Sequence, residues 1–127
     1  MITQKKGNVL ISGNKGEWSE IYTLFKLLGD GVVYAGDADM NRISTLFYPI
    51  ISVIRQEEKR MKYDPENKSK TVIVYADNKE VMRVPMADFA KKAAELLDRI
   101  KNAEGRAFSL RSIEEFMHSV MCYTLKA

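Results

Sequence analysis

The sequence predicts one α+β domain, in which an N-terminal helix precedes a small antiparallel sheet of about four strands and two C-terminal helices. Three observations lead to this fold class: apolar residues at helical spacing near the start, a strand-like run followed by hairpin residues in the middle, and two amphipathic runs near the end. The chain has 127 residues, of which 46% are hydrophobic and 29% charged, as in one ordinary globular domain.

The first strong element is a helix that follows Asn14. Its apolar residues have the i, i+3, i+4, i+7 spacing of one helix face, at Ile21, Leu24, Phe25 and Leu28. Asn14 is the predicted N-cap, with Glu17 in the capping-box position, and the Gly-Asp-Gly run at residues 29–31 ends the helix. Before it, residues 1–12 are predicted to form an arm with a short edge strand over Val9–Ile11.

The next segment is predicted to alternate short elements with polar residues. Val32–Ala35 has the pattern of a short buried strand, and Met40–Leu46 that of a helical turn. Pro49 bends the chain, and the β-branched run Ile50–Ile54 predicts another strand.

Residues 55–70 are charged and turn-prone, which predicts a hairpin or a loop with its clearest turn at Asp64–Asn67. Thr71–Ala76 is the strongest strand and is apolar on both faces, which predicts a central position. Asp77-Asn78-Lys79 predicts a hairpin into a partner strand over Glu80–Val84.

Two amphipathic helices are predicted to follow. Asp88 caps the first, which ends at Gly105 and has an apolar stripe made by Phe89, Ala93, Leu96, Leu97 and Ile100. Ser112 and Glu115 form the predicted capping box of the second, whose apolar face comprises Ile113, Phe116, Met117, Val120 and Met121.

The charge balance and the rare residue types exclude several classes of protein. A net charge of +3 permits a nucleic-acid partner without indicating one. The lone cysteine, Cys122, and the lone histidine, His118, exclude an internal disulfide and the usual zinc sites, and both residues fit packing roles. No apolar run of about 18 residues and no signal sequence is present, so we expect a cytoplasmic protein without membrane contact.

Residues 13–20 (Gly-Asn-Lys-Gly-Glu-Trp-Ser-Glu) have two interpretations. They form either a capped helix start with Trp18 in the core or a loop whose N–H groups and Lys15 bind a phosphate. Glu17 and Glu20 share a helix face and could approach a divalent metal.

Two acidic-x-Lys fragments match the spacing of PD-(D/E)XK nucleases, in which acidic groups place Mg²⁺ and a lysine helps to activate water. These are Glu57-Glu58-Lys59 and Asp77-Asn78-Lys79, for which a solvated loop and a hairpin turn are the better interpretations. The basic residues of segment 55–70 fit either a phosphate contact or an ordinary solvated surface.

The block from Gly13 to Tyr22, with Phe25–Gly31 and Tyr34-Ala35, resembles the N-terminal end of HpaII-family Type II restriction endonucleases. Looser similarity continues to the Cys-x-x-Leu-Lys-Ala stretch at residues 122–127. Family members are longer, and in them this stretch leads into a nuclease core of the PD-(D/E)XK kind. The resemblance therefore implies that residues 1–127 are one N-terminal DNA-binding or recognition domain of an enzyme that cuts duplex DNA with Mg²⁺ at a CCGG-like site.

The resemblance also implies roles for individual residues. Glu17 and Glu20 are the candidates for catalytic support, and no residue is assigned as a metal ligand. The DNA-binding candidates, chosen by charge and position, are Asn14, Lys15, Arg42, Arg55, Lys59 and Arg60. This portion alone is expected to be inactive and to hold no cofactor.

Two other functions remain open from the sequence. The chain could be a complete small Mg²⁺ nuclease that uses Glu57 or Asp77. It could instead be a dimerisation module built on the two C-terminal helices. A homodimer is also left open if the chain binds or cuts DNA.

Overall fold

The structure, a computed structural model, describes residues 12–103 and 107–125. The predicted strand at Val9–Ile11 and the predicted helix stop at Gly105 lie outside these residues. Within them lie three helices and six strands: α1 (Lys15–Asp30), β1 (Val32–Gly36), β2 (Arg42–Pro49), β3 (Val53–Gln56), β4 (Arg60–Glu66), β5 (Thr71–Ala76), β6 (Lys79–Pro85), α2 (Met86–Asn102) and α3 (Arg111–Ser119). The predicted α+β class is confirmed.

The strands form two separate antiparallel sheets. Strands β3, β4, β5 and β6 follow one another as a four-stranded meander, and β1 pairs with β2 in a two-stranded ribbon. The predicted central position of Thr71–Ala76 is confirmed, because β5 lies between β4 and β6. Its two faces differ, however, since Val72, Val74 and Ala76 are buried while the alternate residues are only half-buried.

The helices cover that buried face of the meander. The core contains Trp18, Phe25, Tyr63, Phe89 and Leu96, all fully buried. Helices α1 and α2 pack so closely that a Cβ on Gly29 would lie 2.6 Å from the backbone nitrogen of Ala90. Only a residue without a side chain allows this approach.

The predicted helical turn over Met40–Leu46 is wrong, because β2 occupies Arg42–Pro49 and pairs with β1. The chain reverses in a tight turn in which the Asp37 N–H donates to the Asn41 carbonyl at 2.8 Å. The Asp37 carboxylate also accepts the N–H groups of Asp39 and Asn41 at 2.9 Å each, and Met40 adopts a left-handed conformation. These hydrogen bonds reverse the direction of the chain, so the residues that follow run back beside β1 as a strand.

Of the two forms predicted for residues 55–70, a hairpin or a loop, the structure has the hairpin, in which β4 occupies Arg60–Glu66 and pairs with β3. Met61 and Tyr63 are buried, whereas Lys62 points to the open face of the sheet. A strand with one covered face needs apolar residues only at alternate positions. The charged residues at the other positions of β4 gave this segment the composition of a loop. The turn lies at residues 67–70 instead of 64–67, and β3 begins at Val53.

The predicted caps of the last two helices differ from those found. Helix α2 begins at Met86 and α3 at Arg111, and neither has a side-chain N-cap. Asp88 lies within the first turn of α2, and the Ser112 hydroxyl accepts from Lys92 Nζ at 2.8 Å.

Candidate nucleic-acid interface

The start of α1 shows where the most distinctive sequence block lies. Asn14 Oδ1 accepts the Glu17 N–H at 2.8 Å, and Glu17 Oε1 accepts the Asn14 N–H at 3.0 Å. This confirms the predicted capping box, which satisfies two backbone donors that a helix N-terminus otherwise leaves open. Lys15 and Glu20 are exposed beside it.

Trp18 and Gly13 fasten this helix start to distant parts of the chain. Trp18 Nε1 donates to the Phe108 carbonyl at 3.0 Å, and the two rings stack with centroids 6.2 Å apart. Gly13 and Phe108 exchange two backbone hydrogen bonds of 2.9 Å, and a Cβ on Gly13 would collide with Leu125. The block is thus explained by a structural junction of three chain segments.

Arg55 lies inside the protein. Its side chain is 6% exposed and forms an ion pair with Glu57, 3% exposed, at 3.3 Å. Arg55 Nη2 donates to the Thr124 carbonyl at 2.8 Å, and Glu57 Oε2 accepts the Tyr123 N–H at 3.3 Å. The pair therefore anchors residues 123–124 to the end of β3, and this burial does not favour a contact between Arg55 and DNA.

Lys59 and Arg60 lie at one end of the meander, where two turns meet. We call residues 57–60 and 77–79 the turn pair. The two turns are joined because Arg60 and Asp77 share two hydrogen bonds of 2.9 Å, one from the Arg60 N–H to the Asp77 carboxylate and one from the Asp77 N–H to the Arg60 carbonyl. Arg60 Nη1 also donates to Asn78 Oδ1 at 3.4 Å.

The turn pair is closed by backbone hydrogen bonds and presents several cations. Asp77 and Asn78 both have positive φ, of 49° and 71°, which is the geometry of a type I′ hairpin and confirms the predicted hairpin. Lys59, Arg60 and Lys79 are exposed around it. Sequence reasoning missed this cluster, since only the strand register shows that a turn at residue 60 adjoins one at residue 77.

Arg42 lies elsewhere, on the β1–β2 ribbon. Its guanidinium carbon is 4.2 Å from the centroid of the Tyr34 ring, and the tip of the ribbon carries Asp37 and Asp39. The predicted DNA-binding residues therefore fall into separate places instead of one cluster.

The exposed candidate cations share one property. The ion pairs within the described residues involve Lys26, Arg55, Lys62, Arg83 and Lys92. Lys15, Arg42, Lys59 and Arg60 are outside this set, and all four residues are exposed. Such cations are able to contact phosphate without first breaking an ion pair.

The described residues do not fit a bound Mg²⁺ ion. Within residues 12–103 and 107–125, no three His, Cys, Asp or Glu side chains converge. Both acidic-x-Lys fragments have their acids engaged, Glu57 with Arg55 and Asp77 with the Arg60 N–H. Glu17, likewise, accepts the N–H of its own N-cap, so no metal-dependent step is derived from this part of the chain.

The lone cysteine and histidine have structural surroundings. Burial raises the pKa of the Cys122 thiol to about 12, so the reactive thiolate is disfavoured. The His118 ring meets the Tyr123 ring edge-on at 5.3 Å. No helix among the described residues is long and apolar enough to cross a membrane.

Comparisons with known proteins identify the family. The family model of the HpaII restriction endonuclease matches residues 14–127. The Type II restriction enzyme HpaII of Haemophilus parainfluenzae is 48% identical over 108 residues, which cover 84% of this chain and 30% of that enzyme. The chain thus spans about a third of the length of this relative. No solved structure matches the present chain. This chain belongs to the HpaII restriction endonuclease family.

Proposed function

We propose that residues 1–127 are the N-terminal DNA-binding or recognition domain of a longer Type II restriction endonuclease. The enzyme would cleave duplex DNA at a CCGG-like site in the cytoplasm, with Mg²⁺ and the nuclease core supplied by another part of the polypeptide. Membership of the HpaII family supports the DNA substrate. The observation that carries the binding role is the turn pair, whose exposed cations are held on a rigid scaffold.

The scaffold matters because binding costs less free energy when the contact groups are already in place. Arg60 is fixed on both sides, through its backbone to Asp77 and through its side chain to Asn78. Lys59 precedes it in a turn closed by the Glu57 N–H, which donates to the Lys59 carbonyl at 3.0 Å. Arg60 thus has a defined position with the exposed Lys59 beside it, which suits contact with two phosphates of one DNA strand, and Lys15 and Arg42 add weaker contacts elsewhere.

Cleavage by this chain alone is the less favoured function. A small nuclease centred on Glu57 would have to take that carboxylate from Arg55 and from the N–H of Tyr123. A nuclease centred on Asp77 would have to open the hydrogen bond that joins the turn pair. Both losses would disrupt the fold that positions the site.

The test is DNA binding by fluorescence anisotropy between about 50 and about 200 mM salt, with matched duplexes that contain or lack CCGG. Weak binding that falls steeply with salt is expected. The double substitution Lys59→Ala/Arg60→Ala should reduce the salt slope by about two. The control Lys91→Ala/Lys101→Ala removes two exposed cations of α2. In this variant most of the salt dependence of binding should be unchanged.

Three results of this experiment would count against the proposal. These are an absence of binding at the lowest salt, binding that does not depend on salt, and equal losses in the test and control variants. Equal affinity for the two duplexes would restrict the role of this chain to backbone contact and would remove recognition from the proposal. Cleavage that persists after Lys59→Ala and Lys79→Ala would exclude both acidic-x-Lys fragments as its source.

A further inference from the structure

The segment that follows α3, residues 120–125, is fastened to β3 and β4, the two strands that the turn at residues 57–60 connects. The Tyr63 hydroxyl of β4 donates to the Val120 carbonyl at 2.8 Å, across 57 positions of sequence. Arg55 Nη2 of β3 donates to the Thr124 carbonyl at 2.8 Å, across 69 positions. The segment is thus held in place, although residues 120–125 form no helix or strand of their own.

Glu57 belongs to the turn pair and also contacts this segment. Its N–H donates to the Lys59 carbonyl at 3.0 Å and closes the turn. Its carboxylate accepts the Tyr123 N–H at 3.3 Å and the Thr124 hydroxyl at 3.4 Å, in addition to its ion pair with Arg55. One residue therefore connects the backbone that presents Lys59 with a segment 66 positions away.

The burial of the ion pair makes these two connections depend on each other. With segment 120–125 in place, the Glu57 side chain is 3% exposed and the Arg55 side chain 6% exposed. If the segment moved away, water would reach both charges, and an ion pair in water contributes little to stability. The Glu57 side chain would then be released, and the turn at residues 57–60 would lose its anchor on the β3 side.

An anchored turn binds phosphate through Lys59 and Arg60 at a lower cost in free energy, because less conformational entropy is lost on binding. By thermodynamic linkage, a docked segment that raises the affinity for DNA is itself stabilised by bound DNA, and by the same factor. The charge of Glu57 has the opposite effect, since a carboxylate two positions from Lys59 weakens the attraction of phosphate. If charge alone mattered, removing this carboxylate would strengthen DNA binding.

We propose that Glu57 is a positioning residue, which couples DNA binding at Lys59 and Arg60 to the docking of segment 120–125. The proposal rests on the proposed DNA-binding function of the turn pair. Glu57 makes no phosphate contact of its own, and it acts by holding the turn in the conformation that binds. Bound DNA at the turn pair in return stabilises a part of the chain that lies outside the DNA contact.

Fluorescence anisotropy of the 127-residue chain with a CCGG-containing duplex, between about 50 and about 200 mM salt, tests the proposal. Glu57→Gln should lower the affinity at least fivefold, which is about the lower end for coupled sites, without changing the salt slope, because both cations remain. Glu80→Gln is the matched control, since Glu80 also pairs with an arginine beside the turn pair but is 43% exposed. This control should bind DNA at least as tightly as the parent chain.

Two further variants separate positioning from a loss of stability. Arg55→Met/Glu57→Leu keeps the net charge and removes the hydrogen bonds to residues 123–124, so it should also bind at least about fivefold more weakly. Gly29→Ala destabilises the chain through its contact with α2 and should retain the affinity of the parent chain. Circular dichroism at the assay temperature checks that each variant is folded, and the double variant decides if Glu57→Gln is not.

The reverse effect is measured by hydrogen exchange of the Tyr123 amide, which donates to Glu57. A saturating amount of the same duplex should slow this exchange at least about fivefold in the parent chain. In Lys59→Ala/Arg60→Ala, the same concentration of duplex should leave the exchange unchanged, because the contact that transmits the effect is absent.

The outcomes distinguish this inference from the proposed function. If the parent chain shows no salt-dependent DNA binding, both are overturned. If the folded Glu57→Gln or double variant binds as tightly as the parent chain or more tightly, the coupling is overturned and the DNA-binding role stands. An equal loss in Gly29→Ala would assign the effect to general stability and overturn the coupling, as would exchange of the Tyr123 amide that DNA does not slow.

Discussion

Replacing Glu57 by glutamine is expected to cost about 3 kcal/mol of unfolding free energy, the lower end of the range for breaking a buried ion pair from one side. The carboxylate is 3% exposed and the Arg55 guanidinium 6% exposed, so solvent cannot replace what is lost. The variant keeps the size of the side chain but removes the carboxylate that pairs with the buried Arg55 guanidinium. It also weakens the acceptor for the Tyr123 N–H.

Urea unfolding followed by the fluorescence of Trp18 measures this loss. Trp18 is the lone tryptophan and is fully buried, so its emission reports the core directly. The urea concentration at the midpoint of unfolding should fall, while the slope of the unfolding free energy against urea concentration stays the same. Glu115→Gln on the exposed side of α3 is the matched control and should stay within about 0.5 kcal/mol of the parent chain.

A double substitution separates the ion pair from the space that it fills. Arg55→Met/Glu57→Leu removes both charges and should cost less than Glu57→Gln alone, because the buried guanidinium is removed together with the carboxylate that pairs with it. Hydrogen exchange of the Tyr123 amide should be faster in Glu57→Gln than in Glu115→Gln, since that amide donates to Glu57. A cost of Glu57→Gln within about 0.5 kcal/mol would refute the anchoring role assigned to this pair.

Two further perturbations test the packing and the buried thiol. Gly29→Ala should destabilise the chain by about 1–3 kcal/mol in thermal unfolding, because its Cβ meets the backbone of Ala90, whereas Gly16→Ala meets only Asn14 Oδ1 at 3.4 Å and should not. The unfolding free energy should also fall as the pH rises from 9 towards 12, because the unfolded Cys122 thiol loses its proton before the folded thiol, whose pKa is raised to about 12. This one group contributes up to about 1.4 kcal/mol per pH unit. Burial raises the pKa of Tyr63 in the same direction, so Cys122→Ala should flatten the profile only in part; an unchanged profile in that variant would contradict the assignment.

The sequence predicted those elements whose signal lies within one element. Helix α1 was predictable because its cap, its apolar stripe and its stop all lie within residues 14–31. The hairpin of β5 and β6 was predictable because Asp77-Asn78 suits two successive positive φ angles. Strand β4 was not, since Lys62 and Asp64 on its open face gave it the composition of a loop.

The site was less predictable than the fold because its contacts join distant residues. Arg55 has the charge of a surface residue, and its burial depends on Thr124, 69 positions away. One local signal was available, since Arg55 and Glu57 are two apart at the end of a strand and share a face. The proximity of Arg60 and Asn78, in contrast, follows only from the register of β4 on β5, which no local pattern specifies.

The distinctive block at residues 13–20 has a structural explanation, and this changes where the proposed DNA contact is to be sought. The segment Gly13–Trp18 must form the helix cap, donate the hydrogen bond to Phe108 and allow the close approach of Leu125, all at the same time. Each such constraint admits few residue types, so a junction of three segments has a distinctive sequence whether or not it touches a ligand. A phosphate contact constrains little beyond a positive charge, so the cations of the turn pair can carry binding without a recognisable motif.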